Sequence, residues 1–562
     1  MKIGSTTVGG GAGRNRVGAA DAEHGRCSGK RKKGNSDGLE YQSRRGVTSM
    51  LFLKFILAML PILWLIVALS GLKMAGHKVC VIAFLLSMVL AVAGWKLSVL
   101  NTATAAAEGI LNALWPICLV IIAALFTYNL TLRTGAMEQI KKMLAGVSRD
   151  KRVLALIIGW GFGNFMEGMA GFGTAVAIPA SMLVGIGLDP ISSVLACLVV
   201  NSTPTAFGSV GVPTATLAAV SGTDPLALSG SVAVIQCLLT LLSPFLMVFI
   251  CGRGWKAFKG MLPVTVIASV SFVVPWFITA HVLGPELPDI VGSICSMACM
   301  LAAIRVFPPK PDPEYLLSGA GAGKGALTVG EGVKAWSSFI LIFLLLTLTS
   351  TLVPPVHNAI AGVKTSVSVY AGEGAGTLTF SWVNTPGVMI FLSAVIGGLI
   401  QGASFGTMLS VFGATMKQYW KTILTICSVL ATAKVMGYSG MISDIAKFLV
   451  AATGQFYPLF APLIGALGAF VTGSGTSTNV LFGGLQSETA LALGLSPTWL
   501  AAANVMGAGI GKMVCPQGIA IGAGAIGAVG SESKILGSVM GYFLLYVVLA
   551  GVICYAGSLL GL

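Results

Sequence analysis

Apolar runs of about 20 residues, separated by short polar or Gly/Pro-rich turns, recur from residue 50 to the end of the chain. Each is long enough to cross a bilayer as a helix. They begin near residues 50, 79, 110, 153, 190, 226, 261, 288, 335, 387, 422, 456, 498 and 536. Some are interrupted and read as half-spans or re-entrant pieces, so the pattern predicts about 12 to 14 spanning helices. The runs are continuous rather than alternating, which excludes a membrane β-barrel. The expected fold is an all-α polytopic membrane protein with broken or re-entrant helices.

Two stretches of this pattern copy each other. Trp115 to Gly146 aligns without gaps on Trp420 to Ala451, matching Trp115/Trp420, Thr127/Thr432, Gly135/Gly440, Ile140/Ile445 and Lys142/Lys447, among others. Downstream, Gly171-Phe172-Gly173-Thr174 corresponds to Gly473-Ser474-Gly475-Thr476, and Gly187-Leu188-Asp189-Pro190 to Gly494-Leu495-Ser496-Pro497. A duplicated membrane unit with helix breaks at matching places points to a transporter site. The duplication divides the chain into a first transmembrane half at 50–306, with repeat 1 at about 110–220, and a second at 335–562, with repeat 2 at about 415–525. A polar connector at 307–334 joins them. A second polar stretch, His357 to Thr385, holds the alternation Thr365-Ser366-Val367-Ser368-Val369-Tyr370, which predicts a small extramembrane hairpin.

Composition agrees with the class: 55% of residues are hydrophobic, 9% are charged and the mean hydropathy is +0.90, against about 25% charge in a soluble domain. The net charge of +15 is not a nucleic-acid signal, because residues 1–49 hold ten Lys/Arg against four Asp/Glu. That Gly-, Arg- and Ser-rich tail cannot bury a core and is expected to be disordered. It is either a targeting peptide or a product of start-codon choice, since Met50 opens onto an apolar run. Arg133, Lys141, Lys142, Arg149, Lys151 and Arg152 crowd one loop and mark it cytoplasmic. Lys73, His77 and Lys78, two helices earlier, fall on the same side, which puts the basic tail outside, in conflict with its own charge. The corresponding loop of repeat 2 holds only Asp444 and Lys447. Opposite charge bias in equivalent loops suggests opposite sides of the membrane, as an inverted repeat requires.

The candidate chemistry lies in the breaks. Between Val153 and Gly252 there is no Lys or Arg, and the only acids are Glu167, Asp189 and Asp224. Asp189 and Asp224 each precede a Pro and fit helix starts. Glu167 stands between apolar runs, where an ionised carboxylate is costly unless paired, hydrated or protonated. It is the candidate proton-coupling group; the alternative is an acid that orders a helix break. Between Phe448 and Ser531 the only charges are Glu488, in an expected turn, and Lys512. Lys512 follows a Gly-rich segment and suits an anionic substrate as a point charge, or else snorkels from a helix end. Asn201-Ser202-Thr203-Pro204-Thr205 and Thr476-Ser477-Thr478-Asn479 interrupt two further apolar runs. Asn201, Thr203, Ser477, Asn479 and Lys512 are therefore the candidate substrate contacts. Gly171, Gly173, Gly473 and Gly475 are the helix-break glycines, where backbone approaches a ligand and helix N-termini favour an anion. Ser/Thr clusters also serve as packing glue between membrane helices.

No HExxH, P-loop or paired CxxC occurs, and the eleven Cys are scattered. Cys295 and Cys299, on one helix face, read as small core residues. No metal, cofactor or enzymatic nucleophile is expected. The alternatives within transport are another small-anion carrier or an anion channel.

At these same residues the chain resembles the L-lactate permease family of secondary transporters. The resemblance rests on Asn164 to Ile178, on Val200-Asn201 with Pro204 and Ala206-Phe207-Gly208, and on Gly284-Pro285-Glu286-Leu287-Pro288-Asp289-Ile290. It continues through Gly473-Ser474 with Thr476-Ser477 and Asn479, then Gly511-Lys512-Met513 with Pro516-Gln517, and so spans nearly all of residues 50–562. It implies proton symport of L-lactate, and often of D-lactate and glycolate, most readily across the plasma membrane, with an organelle inner membrane as the alternative. It also implies kinship with transporters that hold substrate between helical hairpins and move as dimers. Gly475 stands where the family usually carries Asp, and Cys515 and Gly518 stand where it tends to carry Ser. Either Glu167 then carries more of the coupling, or the coupling is altered.

Overall fold

The computed structural model describes residues 51–562 apart from 66, 69–71, 73, 172, 310–311, 318–327, 351, 374 and 529–530; the basic tail lies outside the described residues. Residues 51–562 form one compact unit. Among the described residues the only strands are Lys364–Ser368 and Thr377–Ser381, paired antiparallel with Lys364 opposite Ser381. This is the hairpin that the alternation predicts.

Everything else of regular form is helical. Nine helices among the described residues are long and apolar enough to cross a membrane, with the bent pair Pro190–Asn201 and Pro204–Ser221 as a tenth. Several remaining apolar runs become short helices, including Leu51–Leu65, Thr174–Gly185 and Pro386–Ile400. Gly and Pro divide several continuous apolar runs into such shorter pieces. Much of the exposed surface is apolar. Gly76–Ala93 and Glu532–Leu559 have mean hydropathies of 2.1 and 2.2, yet only 28% of each window is buried. Water does not tolerate such faces, so they meet lipid.

The duplicated sequences give the same order of elements. A long helical stretch (Val99–Arg133, then Phe405–Ser439) ends at a left-handed glycine, Gly135 (φ 76°) or Gly440 (φ 84°). A short helix follows, Ala136–Ala145 or Met441–Thr453. The next apolar helix stops at Gly171 and Gly173 (φ 58° and 85°) or at Gly473 (φ 68°). After Thr174–Gly185 or Gly475–Leu493 comes a turn at Gly187 or Gly494, then Pro190–Asn201 or Pro497–Lys512. One match fails in conformation. Trp115 is extended (φ −133°, ψ 119°) and breaks its helix, whereas Trp420 lies inside the continuous Phe405–Ser439 helix. Trp115 precedes Pro116, which disfavours helical backbone before it; Trp420 precedes Lys421.

Small residues set the packing around the breaks. A Cβ on Gly507 would overlap the Pro462 carbonyl, and one on Gly511 the Ala466 carbonyl. The four-residue spacing on both helices lets Tyr457–Thr472 and Pro497–Lys512 meet backbone to backbone. Gly509, on the opposite face, meets the Ser202 carbonyl at the first-half break in the same way. A chain of buried amides reinforces this join. Tyr457 Oη donates to Gln486 Oε1 (2.9 Å), Gln486 Nε2 to Asn504 Oδ1 (3.3 Å), Asn504 Nδ2 to Asn479 Oδ1 (3.0 Å) and Asn479 Nδ2 to Pro213 O (3.0 Å).

Two minor expectations need correction. Glu488 is exposed on the Gly475–Leu493 helix rather than in a turn, because no Gly or Pro interrupts the sequence around it. Cys299 is exposed and Cys295 half-buried, so this helix face meets the apolar surroundings rather than the core.

Asp189 and Asp224 cap helices as expected, accepting from Ser192 N (2.9 Å) and Ala227 N (2.8 Å). The Ser192 N–H bond, with Arg253 nearby, holds the Asp189 carboxyl below the usual carboxylate range. Asp189→Ala is expected to cost about 1 kcal/mol, read as a lower melting temperature in detergent. The difference should be present above pH of about 4, the ordinary carboxylate value. It should fade as pH falls through the lower folded value.

Candidate functional site

The two lone charges of the interrupted helices meet. Lys512 Nζ stands 3.0 Å from Glu167 Oε1, although 345 residues separate them in sequence. Asn201 Nδ2 donates to Glu167 Oε2 at 3.0 Å. Each residue is delivered by a helix end: Glu167 by Gly163–Met169, Asn201 by the last position of Pro190–Asn201, and Lys512 by the last position of Pro497–Lys512. Gly208 makes room, since a Cβ there would come within 2.7 Å of Glu167 Oε1. Only 3% of the Glu167 side chain is exposed, against 17% of Lys512. The residual exposure of Lys512 faces a cavity.

That cavity measures about 690 Å³ and is lined by Glu167, Asn201 and Lys512 together with both breaks. Such a volume suits a small-molecule site. The first break contributes Gly173, Thr205, Gly208 and Ser209; the second contributes Thr472 to Ser477. The breaks face each other, as Thr205 Cγ2 lies 3.4 Å from where a Cβ on Gly475 would stand. In the second break Ser474 Oγ accepts from Ser477 N (3.2 Å) and Thr472 Oγ1 from Ser474 N (3.2 Å), so the hydroxyls hold the loop open at the start of Gly475–Leu493. A third helix, Pro516–Ala525, begins at the same cavity, where Cys515, Pro516 and Gln517 line it.

Of the candidate contacts, the structure gathers Asn201, Ser477, Lys512 and Glu167 around this cavity, with Gly173, Gly473 and Gly475. Thr203 and Asn479 do not line it. Thr203 is fully buried and its hydroxyl lies 3.3 Å from Ser243 Oγ. Asn479 spends its amide on Pro213 and Asn504, joining the halves. Gly171 sits behind the lining, against Ser209 Oγ. Polar residues in a helix break divide between cavity and packing according to helix phase, which sequence alone left open. Thr205, Ser209, Thr472, Thr476 and Gln517 line the cavity and were missed. Thr205 and Thr476 stood within the polar clusters already singled out.

Nothing in the lining resembles a metal site, and among the described residues no group of three or more His, Cys, Asp or Glu could hold one. The arrangement offers Lys512 paired with one carboxylate, a second cation in Lys421 with His77 near it in the lining, and hydroxyls and backbone amides from both breaks. This chemistry suits a small anion that carries a hydroxyl.

The sequence profile described as L-lactate permease matches residues 54–560. A protein named L-lactate permease from Streptococcus iniae is 43% identical over 453 residues, covering 80% of this chain and 93% of that one. The glycolate permease GlcA of Escherichia coli is 34% identical over 534 residues, covering 89% and 95%. Among solved structures, MtrF of Neisseria gonorrhoeae aligns over 88% of this chain and 97% of that one at 12% identity, with a TM-score of 0.49, too low to establish a shared fold.

A buried ion pair is most costly when half of it is removed. Lys512→Met is expected to destabilise the folded protein by about 3–5 kcal/mol. The double variant Glu167→Gln/Lys512→Met should recover most of that loss. Thermal unfolding of the single and double variants in detergent checks the coupling; additive losses would contradict it.

Proposed function

The chain belongs to the L-lactate permease family, an integral membrane transporter rather than an enzyme, and we propose that it carries L-lactate and related 2-hydroxy-monocarboxylates such as D-lactate and glycolate across the plasma membrane by proton symport. The observation that supports this most strongly is the Glu167–Lys512 pair in the wall of the cavity.

The pair is neutral as it stands. A substrate carboxylate arriving at Lys512 replaces Glu167 as the partner of the ammonium group. Glu167 is then a desolvated anion held by Asn201 alone, and the cluster of Glu167, Lys512, Asn201 and substrate carries one excess negative charge. Burying that charge is unfavourable. One proton on Glu167 restores neutrality and leaves its bond with Asn201 available. Proton and anion thus enter together because neither balances the site alone. The substrate hydroxyl finds Ser477, Thr205 and Thr476, and the amides at the start of Gly475–Leu493 add a favourable dipole for the carboxylate. The matching element order supports a repeat within each half, at 50–306 and 335–562, and the opposite charge bias of the equivalent loops supports their inverted topology. Movement of the broken-helix unit would expose the cavity alternately to the two sides.

The primary test is uptake of labelled L-lactate into proteoliposomes with an inward pH gradient at clamped potential. The expected result is accumulation above equilibrium that a protonophore abolishes, with glycolate competing. Absence of lactate flux would overturn the substrate assignment. Glu167→Gln should remove the response to the pH gradient while retaining exchange of labelled for unlabelled lactate at symmetric pH; a full gradient response would remove Glu167 from the coupling role. Lys512→Ala should weaken lactate affinity by about 10- to 100-fold, corresponding to one charge-assisted hydrogen bond of about 1.5–3 kcal/mol. Unchanged affinity would assign Lys512 to structure.

A further inference from the structure

A second carboxylate lies behind Glu167. Asp289 is in the first turn of the Pro288–Val306 helix and is 1% exposed. Its Oδ1 accepts the Trp276 indole N–H at 3.0 Å, and its Oδ2 has no partner among the described residues. Asn164 Nδ2 and Ser293 Oγ are likewise buried without a partner. The three groups share one seam. A Cβ on Gly161 would meet Met297, and one on Gly168 would stand 2.9 Å from Asp289 Cβ. The helices therefore run antiparallel, with Asn164 passing the level of Ser293 while Gly168 passes Asp289. Gly168 is the residue after Glu167.

Unpaired buried polar atoms are rare in folded proteins and call for a reason. Three along one seam, next to the coupling carboxylate, have a common one. Asp289 has no cation of its own. The charged groups that act on it are Glu167, on the neighbouring helix, and Lys512, which Glu167 already engages. The other elements against it, Leu262–Val282, Ala155–Phe162 and Pro204–Phe207, bring no acid, Lys or Arg; His281 stands exposed at the end of the first nearest Asp289, and Glu286 lies in the turn just before the Asp289 helix. An uncompensated carboxylate at this depth is unfavourable, whereas the neutral acid is not.

We infer that Asp289 is a second proton-holding carboxyl of the transport site, exchanging its proton with Glu167 across Gly168. This rests on the proton-symport role of Glu167. When a substrate anion takes Lys512, the O–H bond of Asp289 breaks, its proton passes to the Glu167 carboxylate, and Asp289 is reprotonated from water on the side of higher proton concentration. Asn164 Nδ2 and Ser293 Oγ, unspent on the same seam, are the donors nearest in sequence register to hold Asp289 while it is charged. A metal cation fits the seam less well, because two of the groups around it, the Trp276 and Asn164 N–H, are donors.

The test uses the full chain in proteoliposomes, carrying Asp289→Asn, Glu167→Gln or Trp276→Phe. Two readouts are compared: lactate exchange at symmetric pH, and pH-gradient-driven accumulation. Asp289→Asn should retain exchange and lose driven accumulation by on the order of 100-fold, the usual contribution of a positioned proton-transfer group. Wild-type accumulation in Asp289→Asn would overturn the inference. If Glu167→Gln alone lost accumulation, the symport reading would survive without the second carboxyl; if neither variant lost it, both would fall. Should Asp289→Asn not fold, Trp276→Phe keeps the acid and removes its donor. It should shift the pH profile of accumulation without changing exchange, and an unshifted profile would overturn the inference. So would accumulation driven by a sodium gradient and insensitive to pH.

Discussion

The site depends on compensating charge where there is almost no water. Glu167 and Lys512 come from halves of the chain far apart in sequence, and neither is tolerable at that depth alone. Their pairing requires Gly163–Met169 and Pro497–Lys512 to end at the same point. Those ends in turn require Gly208 to lack a side chain and Gly509 to sit directly on the Ser202 carbonyl. The same need for charge balance gives the cavity its direction of use, since an added anion unbalances what the fold has neutralised.

The supporting framework is polar as well as small. The amide chain from Tyr457 through Gln486, Asn504 and Asn479 to Pro213 satisfies four buried side chains at once and ties the second repeat to the bend in the first. In an apolar surrounding, such bonds have few competitors. They fix which break faces which, while the glycine crossings fix how closely. A second buried pair, Glu108 with Lys434 at 2.7 Å, joins Val99–Asn112 to Phe405–Ser439 away from the cavity.

Much of this was legible in the chain. Glu167 and Lys512 stand out because long uncharged stretches surround them, and the repeated Gly-rich breaks mark where helices stop. The two aspartates ahead of prolines cap helices as their position predicts. What sequence could not supply was phase and partner. Thr203 and Asn479 look like Asn201 and Ser477 in composition but point away from the cavity into helix contacts. Asp289 follows a proline, which resembles an ordinary helix start, and only the packing of Gly168 against it reveals its depth. Where an apolar run breaks was hidden for a related reason: hydropathy registers apolar length, not the left-handed glycines that divide it.

The walls of the cavity have a consequence for selectivity. Hydroxyls and glycine backbone from the two breaks form one part of them, and Ile121, Val176, Leu198, Ile426, Phe470 and Ile521 form much of the rest. The polar part recognises charge and hydrogen-bonding direction, and the apolar part meets the hydrocarbon of a ligand. One methyl group more or less is worth only about 1–3 kcal/mol even in a fitted apolar pocket. A chamber of about 690 Å³ is not fitted around so small an acid and discriminates less than that, so two-carbon and three-carbon hydroxy acids should compete on nearly equal terms. Narrowing the range would require new side chains at the lining glycines, and of these Gly208 and Gly473 leave no room for a Cβ, whereas Gly475 does.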